Sequence, residues 1–501
     1  MLATHDGFSQ PVLSRASLRV RVDVRGDPQV PAQRTFDLVI AANRLPVDAV
    51  TGADGKITWR RSPGGLVTAM ESVMHGREGA WVGWAGEPGK APRAFTQNSM
   101  HLRPVRLDQD DVVDYYEGQS NDCLWPIYHD AIVPAKFRRR WRTAYERVNT
   151  RFAEQVAKVA APGATVWVHD YQLQLVPALL RKLRSDVRIG WFNHIPFPPV
   201  ELFMQMPGRE GILEGLLGAD FLGFQRKPDA ANFLRACRGL LDVTVRGDVV
   251  HLPDGRSVRA SAVPISVDYN GLRELAGDPA VQQRAAEIRE QLGDPKHILL
   301  GVDRLDYTKG LRHRLKAYGE LLQSGDLDPS ETVFVQVATP SRERLAAYRE
   351  LRGQVELEVG RINGEHSPIG STALTYLHRS FPRTEMVALF AAADVLIVTP
   401  LRDGMNLVAK EYVACHADDG AIVLSEFTGA ADELSRAYLC NPHDIDKLKQ
   451  TILQAMHDPP GEHRRRMRSM RRTVMTNDVQ HWAEDFLTNL QAAPHKPKGH
   501  R

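Results

Sequence analysis

Between Asp394 and Tyr412 the chain reads DVLIVTPLRDGMNLVAKEY, an apolar run that breaks into a charged, glycine-bearing turn and re-enters a helical pattern. The run Val395 to Val398 predicts a buried strand, and the helix is expected to begin near Met405. The backbone N–H groups of Gly404, Met405, Asn406 and Leu407 then lie at a helix N-terminus, which attracts anions. Asp403 falls at the carboxyl end of the strand, where α/β folds hold their ligands. Glu411 follows about two turns into the helix, on the side of Met405 and Val408. One acid can read sugar hydroxyls and the other a ribose diol. The plain alternative is an Asp-Gly turn whose aspartate caps the helix.

A second junction of the same design, HILLGVDRLDYTKGL from His297 to Leu311, runs from an apolar strand into Arg304, Asp306, Lys309 and Gly310. An arginine fork and a lysine point charge on one loop suit a diphosphate that must be held while negative charge builds on it. Both cations are expected to be reached by solvent in a cleft. A third junction, TVWVHDYQLQLVPALLRKL (Thr165 to Leu183), and a fourth, RIGWFNHIPFPP (Arg188 to Pro199), repeat the strand-to-turn pattern.

These four segments, with ANRLPV (Ala42 to Val47), SPGGL (Ser62 to Leu66), WVGWAGE (Trp81 to Glu87), YYEGQSNDCLWP (Tyr115 to Pro126) and GRINGEH (Gly360 to His366), resemble the trehalose-6-phosphate synthase family. The resemblance runs from about Asp37 to about Trp482 with the motifs in the family's order. It implies an α/β protein of the GT-B type, two Rossmann-like domains with parallel sheets facing across a deep cleft. It also implies a retaining transfer of glucose from a nucleotide sugar to glucose 6-phosphate, giving α,α-trehalose 6-phosphate. UDP-glucose is the family's usual donor, and ADP-glucose stays open.

By the same resemblance Arg304 and Lys309 hold the leaving diphosphate, helped by the amides of Gly404, Met405, Asn406 and Leu407. Asp403 holds ring hydroxyls of the donor glucose, Glu411 the ribose, and His194 lies near the 6-hydroxyl. Gly65, before a helix expected to start at Leu66, is placed on the donor side. Arg44, Tyr116, Trp125 and Arg342 surround the glucose 6-phosphate, and Asp170 orients the acceptor sugar without attacking it. From the residues alone His194 reads as a packed loop histidine, and Tyr116 and Trp125 read as core aromatics. The implied chemistry needs no metal and no cofactor: the acceptor hydroxyl attacks on the face the nucleotide leaves, and a donor phosphate oxygen takes the proton. No DxD-like pair follows a strand and no His/Asp ligand cluster is present.

The chain has 501 residues, enough for more than one domain. Lys+Arg number 64 against 61 Asp+Glu, a net charge of +3, so no global field points to nucleic acid or a membrane surface. Cys123, Cys237, Cys415 and Cys440 lack CxxC or Cys/His spacing, and reduced, buried thiols in a cytoplasmic protein are expected. No stretch approaches the roughly 18 apolar residues that cross a bilayer, and no signal-peptide core opens the chain. Apolar strands alternate with helical patterns from Phe36 to Phe224 and again from Ile298 to Leu424. The expected division is an N-terminal extension (1–34), two Rossmann-like domains (35–264 and 265–478) and a disordered tail (495–501); the resemblance implies that the first domain takes the acceptor, the second the nucleotide sugar, and that a last helix (479–494) crosses back to the first. LRVRVDV in the extension reads as an edge strand or a partly ordered segment. RRRMRSMRR (Arg464 to Arg472) reads as a helix with one covered face, not a nucleic-acid patch. Small-molecule partners and a homo-oligomer, dimer or tetramer, complete the expectation. Two rival functions remain open: the same donor with another acceptor, or a catalytically silent sugar-phosphate-binding regulator.

Overall fold

Two sheets organise the chain, and each places its candidate residues at the carboxyl ends of its strands. The structure, a computed structural model, describes residues 34–51, 57–61, 67, 70, 78–89, 91–97, 100–416 and 418–495. Gly65 and the rest of SPGGL, LRVRVDV with the extension before Arg34, and the tail from 496 onward lie outside the described residues.

The first sheet has ten strands in the order Thr244–Arg246, Val249–His251, Ser257–Ala262, Phe221–Phe224, Arg188–Phe192, Ala160–His169, Phe36–Arg44, Gly79–Trp84, Met100–Pro104 and Phe95–Gln97. Pairing is parallel from Ser257–Ala262 through Met100–Pro104, and the short edge strands are antiparallel. Strand order reverses between Phe36–Arg44 and Ala160–His169, so the crevice that a doubly wound sheet leaves at its switch point opens beside Arg44 and Asp170. The strands read as near-continuous apolar runs because helices cover both faces; Gly79–Trp84 is buried at every position.

The second sheet has six strands, all parallel, in the order Leu374–Leu377, Thr332–Thr339, His297–Arg304, Val395–Val398, Ala421–Ser425 and Tyr438–Cys440. Its order reverses between His297–Arg304 and Val395–Val398, the two strands that deliver Arg304 and Asp403. Both switch points carry residues singled out from the sequence.

The chain passes from the first sheet to the second after Ala262 and returns after Thr476. Val479 N–H joins the two passages by donating to Val267 C=O at 3.0 Å, and Lys410 Nζ, from the helix Leu407–Cys415, ties the first passage down by donating to Ile265 C=O at 2.8 Å. The final helix, Val479–Ala492, lies against the first sheet, with Phe486 stacked on Trp167 at 4.3 Å between ring centres. A Cβ on Gly190 or Gly223 would stand 2.8 Å from the Phe486 ring, so the two glycines let the helix settle onto the strands. Burial of an aromatic of this size contributes about 3–5 kcal/mol against alanine. His495 continues this docking by hydrogen bonding to Asp220 at 3.1 Å. In the helix Pro460–Thr476, Met467 and Met470 are buried, so the arginine run is the solvated side of a packed helix.

Candidate active site

Lys309 is fixed from behind. Strand His297–Arg304 runs into the short turn Tyr307–Lys309, then Gly310, then the helix Leu311–Ser324. Gly310 has φ +64, and a Cβ there would stand 2.0 Å from Thr399 C=O, so only glycine allows the loop to pass this close to the neighbouring strand's end. Arg314, fully buried, pairs with Asp303 at 2.6 Å and donates to Thr399 Oγ1 at 2.9 Å and to Lys309 C=O at 2.9 Å. Lys309 Nζ then meets Asp403 Oδ2 at 2.5 Å.

Of the two cations expected to reach solvent, Arg304 is exposed and Lys309 only partly so. Arg304 makes no hydrogen bond or ion pair among the described residues, and holds its guanidinium 5.5 Å from the Trp125 ring centre. The Lys309 side chain is only 12% exposed, because Asp403, 94 residues away in sequence, closes over it.

The helix that follows Asp403 starts at Leu407, two residues later than expected. Asn406 is the cause: it takes φ +81, and its side-chain oxygen caps Ala409 N–H at 3.2 Å while its amide donates to Asp403 Oδ2 at 3.2 Å. Met405 is a buried core residue. Burial alone would raise the Asp403 carboxyl, but the Lys309 charge and hydrogen bond outweigh it and hold it below the usual range. Oδ2 is thereby committed, and Oδ1 is the oxygen with capacity for a ligand hydroxyl. Glu411, half-buried in the helix Leu407–Cys415, is lifted by burial, with Arg383 opposing.

Gly404 brings this turn against the first-sheet unit, since a Cβ there would meet His194 C=O at 2.5 Å. His194 and Asp170 form the facing wall. Asp170 ends strand Ala160–His169 with φ +74, a strained conformation for a non-glycine residue. Its carboxylate accepts from His194 N–H at 3.2 Å. Burial pushes the Asp170 carboxyl up to about 6, against the backbone donors of Tyr171 and His194 and the charges of Arg304 and Arg342. His194 Nε2 lies 3.1 Å from His169 Nδ1, and burial lowers His194 to about 3, so the ring is neutral.

Arg342 completes the site from the second sheet. It follows strand Thr332–Thr339 with φ +48 and donates to Asp306 at 2.9 Å, to Tyr171 Oη at 3.1 Å and to Tyr348 Oη. Its guanidinium lies 3.7 Å from the Trp125 ring centre. Trp125 therefore answers both readings: it is buried against His129 and Tyr171, and its face is the platform for a cation. Its Nε1 is buried without a hydrogen-bond partner among the described residues. A cavity of about 230 Å³ opens beside Arg342, with Tyr116 and Asn121 in its wall. Arg44 lies 4.7 Å from the Trp84 ring centre and pairs with Asp48 at 2.5 Å, and Trp84 in turn packs 6.1 Å from Tyr116.

The structure thus brings Lys309 onto Asp403, Asp170 onto His194, and Arg304 and Arg342 onto Trp125. Three supporting residues escaped the sequence reading, Arg314, Tyr171 and His169, and a fourth, Asp306, was named there without its partners. Asp306 is fully buried and accepts from Arg342, Tyr348 and Thr308; burial pushes it up, but Arg342 and Arg304 outweigh that and leave it depressed. It lies inside a quoted motif, yet nothing local marks its partner 36 residues on.

The sequence profile of Glycosyltransferase family 20 matches residues 37–492. The chain belongs to this family. It is a glycosyltransferase on a GT-B fold. A trehalose-6-phosphate synthase of Mycobacterium sp. (strain KMS) is 55% identical over 474 residues, covering 93% of this chain and 97% of that protein. An α,α-trehalose-phosphate synthase (UDP-forming) of Burkholderia xenovorans, solved in complex with glucose-6-phosphate, superposes with a TM-score of 0.85 at 33% identity, covering 91% of this chain and 100% of that one. A structure from E. coli bound with UDP-2-fluoro glucose superposes at 0.84 with 33% identity, covering 92% and 100%.

Proposed function

We propose that this chain transfers glucose from a nucleoside-diphosphate glucose to glucose 6-phosphate, with retention, to give α,α-trehalose 6-phosphate. The observation that carries the reading is Arg342: a second-sheet guanidinium laid on first-sheet Trp125 and bonded to first-sheet Tyr171, at the wall of a cavity it shares with Tyr116. A phosphate in that cavity is met by cations and donors from both sheets, so acceptor binding and closure of the cleft reinforce one another. The second sheet is the donor side and the first sheet the acceptor side. Arg304 and Lys309 face the diphosphate, Asp403 Oδ1 the donor's ring hydroxyls, and Glu411 the ribose. The UDP-forming and UDP-2-fluoro glucose structures among the solved relatives favour a uridine nucleotide.

The anomeric oxygen of the acceptor forms the new bond to donor C1 as the C1–O bond to phosphate breaks, its electron pair leaving with the nucleoside diphosphate. The hydroxyl proton passes to a phosphate oxygen of that leaving group. Protein groups position the partners and meet the developing charge, which needs no carboxylate nucleophile. Asp170 fits a positioning role, since its carboxylate accepts from the His194 amide at 3.2 Å.

The test is acceptor choice. Purified protein with UDP-glucose is offered glucose 6-phosphate, free glucose or glycerol 3-phosphate, and nucleoside diphosphate release is followed. Turnover with glucose 6-phosphate far above the other two supports the reading. Equal use of free glucose removes the phosphate pocket, preference for glycerol 3-phosphate supports the rival acceptor, and no turnover with any of them indicates a silent homologue.

A further inference from the structure

The helix Lys227–Leu240 contributes nothing to the residues above, yet it touches the loops that carry two of them. Asn232 Nδ2 donates to Phe197 C=O at 2.9 Å, and Asp229, one turn earlier on the same helix, is fully buried with the Phe197 amide among the groups that act on its carboxyl. Phe197 lies three residues beyond His194. Asp229 also accepts from Arg402 Nη2 at 3.3 Å, and Arg402 immediately precedes Asp403. One turn of this helix therefore holds both the His194 loop of the first sheet, through Asn232, and the Asp403 turn of the second, through Asp229. The two turns also meet directly where Gly404 abuts His194 C=O.

We propose that Asp229 is the positioning residue for the donor-sugar grip, coupling His194 to Asp403 through Arg402 and setting the donor pocket only when the two sheets are apposed. Folding alone gives a poor account of the pair. Asp229 is fully buried and the Arg402 side chain is 16% exposed, and burying such charges costs about as much as their attraction returns. The pair is also incompletely made. Asp229 Oδ2 is buried without a hydrogen-bond partner, and Arg402 Nε, which makes no hydrogen bond, pairs instead with Asp130 Oδ2 at 3.5 Å, on a residue with φ +56.

This inference rests on the donor-sugar assignment of His194 and Asp403. It is tested with Asp229→Asn, Arg402→Gln and Arg402→Lys, measuring kcat and KM for each substrate together with the thermal midpoint. Asp229→Asn and Arg402→Gln are expected to raise the donor KM by about ten-fold or more and lower kcat, with the glucose 6-phosphate KM within about two-fold of wild type. Arg402→Lys, which keeps the charge, should recover part of the loss. The double variant should be little worse than either single one, because both remove one contact. If Asp229→Asn does not fold, the two Arg402 variants carry the same comparison. Equal shifts in both KM values, or an unchanged donor KM, overturn the proposal. Wild-type protein that releases no nucleoside diphosphate with glucose 6-phosphate would instead overturn the function itself, so the two failures are distinct.

Discussion

Arg304→Ala and Lys309→Ala should separate catalysis from stability, although both residues are assigned to the same diphosphate. Arg304 is exposed; its ring contact at 5.5 Å contributes about 0.5–1 kcal/mol, and its charge acts on Asp306 and Asp170 only from a distance, behind Arg342 at Asp306. Its loss should leave the unfolding midpoint nearly unchanged. Turnover should fall about 10²–10³-fold, the cost of removing one preorganised donor from a developing charge. Lys309 is different. Its removal strands Asp403, whose side chain is 13% exposed, and breaking a buried pair from one side costs about 3–5 kcal/mol. Asp403 has an alternative, to take up a proton. At pH 7.5 that costs about 5 kcal/mol from an ordinary carboxyl value, so protonation offers no cheap escape. Because the cleft admits water, the lower figure of about 3 kcal/mol is expected.

The pH dependence has a defined sign. In the wild type the depressed Asp403 contributes stability above its unfolded value, and that contribution is lost as pH falls. Without Lys309 burial dominates and raises the carboxyl, so the variant loses stability as pH rises. The gap between the two proteins should therefore narrow from pH 8 to pH 5, and Lys309→Ala with Asp403→Ala should recover much of the midpoint. The assay pairs urea unfolding with nucleoside diphosphate release at saturating substrates. Arg304→Ala with kcat within about three-fold of wild type would refute its assignment. Lys309→Ala with an unchanged midpoint would show that the Lys309–Asp403 pair does not hold the loops.

Asp170→Asn should inactivate the enzyme and yet stabilise it at neutral pH. With its carboxyl raised to about 6, Asp170 favours folding at low pH and loses that contribution as pH rises through 6. The variant's advantage should grow by about 1.4 kcal/mol between pH 5 and pH 8, read from denaturation midpoints, and a constant difference would refute the shift. Arg342→Ala and Arg44→Ala should raise the KM for glucose 6-phosphate about 10- to 100-fold each with smaller effects on the donor KM, as loss of a charged hydrogen bond predicts. Activity should survive exhaustive chelation, and mass spectrometry after incubation with donor alone should show no added hexose. A strict magnesium requirement would contradict the roles of Arg304 and Lys309, and an adduct on Asp170 or Asp403 would contradict same-face attack.

The strands that build the site were legible because parallel strands buried on both faces leave uninterrupted apolar runs. Val395 to Val398 is copied from the sequence without change, and the turn after it announces itself by Arg402, Asp403 and Gly404. Less legible was the point at which the helix begins, since Asn406 at φ +81 spends its side chain on the cap and postpones the first turn. The segment Val112–Leu124 forms a π-helix that no 3.6-residue pattern signals; Gly118 there lets the Trp141 ring approach to 2.5 Å from where a Cβ would be. The supporting charges were invisible for a different reason. Arg314 sits at an ordinary helical position, and Asp306 resembles a turn aspartate until Arg342 and Tyr348 arrive from elsewhere in the chain. Local pattern identifies which loops meet a ligand, whereas pairing across 94 residues, as between Lys309 and Asp403, is decided by the packed fold.

The central claim is a retaining transfer of glucose onto glucose 6-phosphate, and proton NMR of the product made from UDP-glucose, with ADP-glucose as competitor, tests it most directly. The account predicts a phosphorylated non-reducing disaccharide with both anomeric protons showing the small coupling of α linkages, formed in step with nucleoside diphosphate. A product with a β-anomeric proton, or one lacking the 6-phosphate, would contradict it.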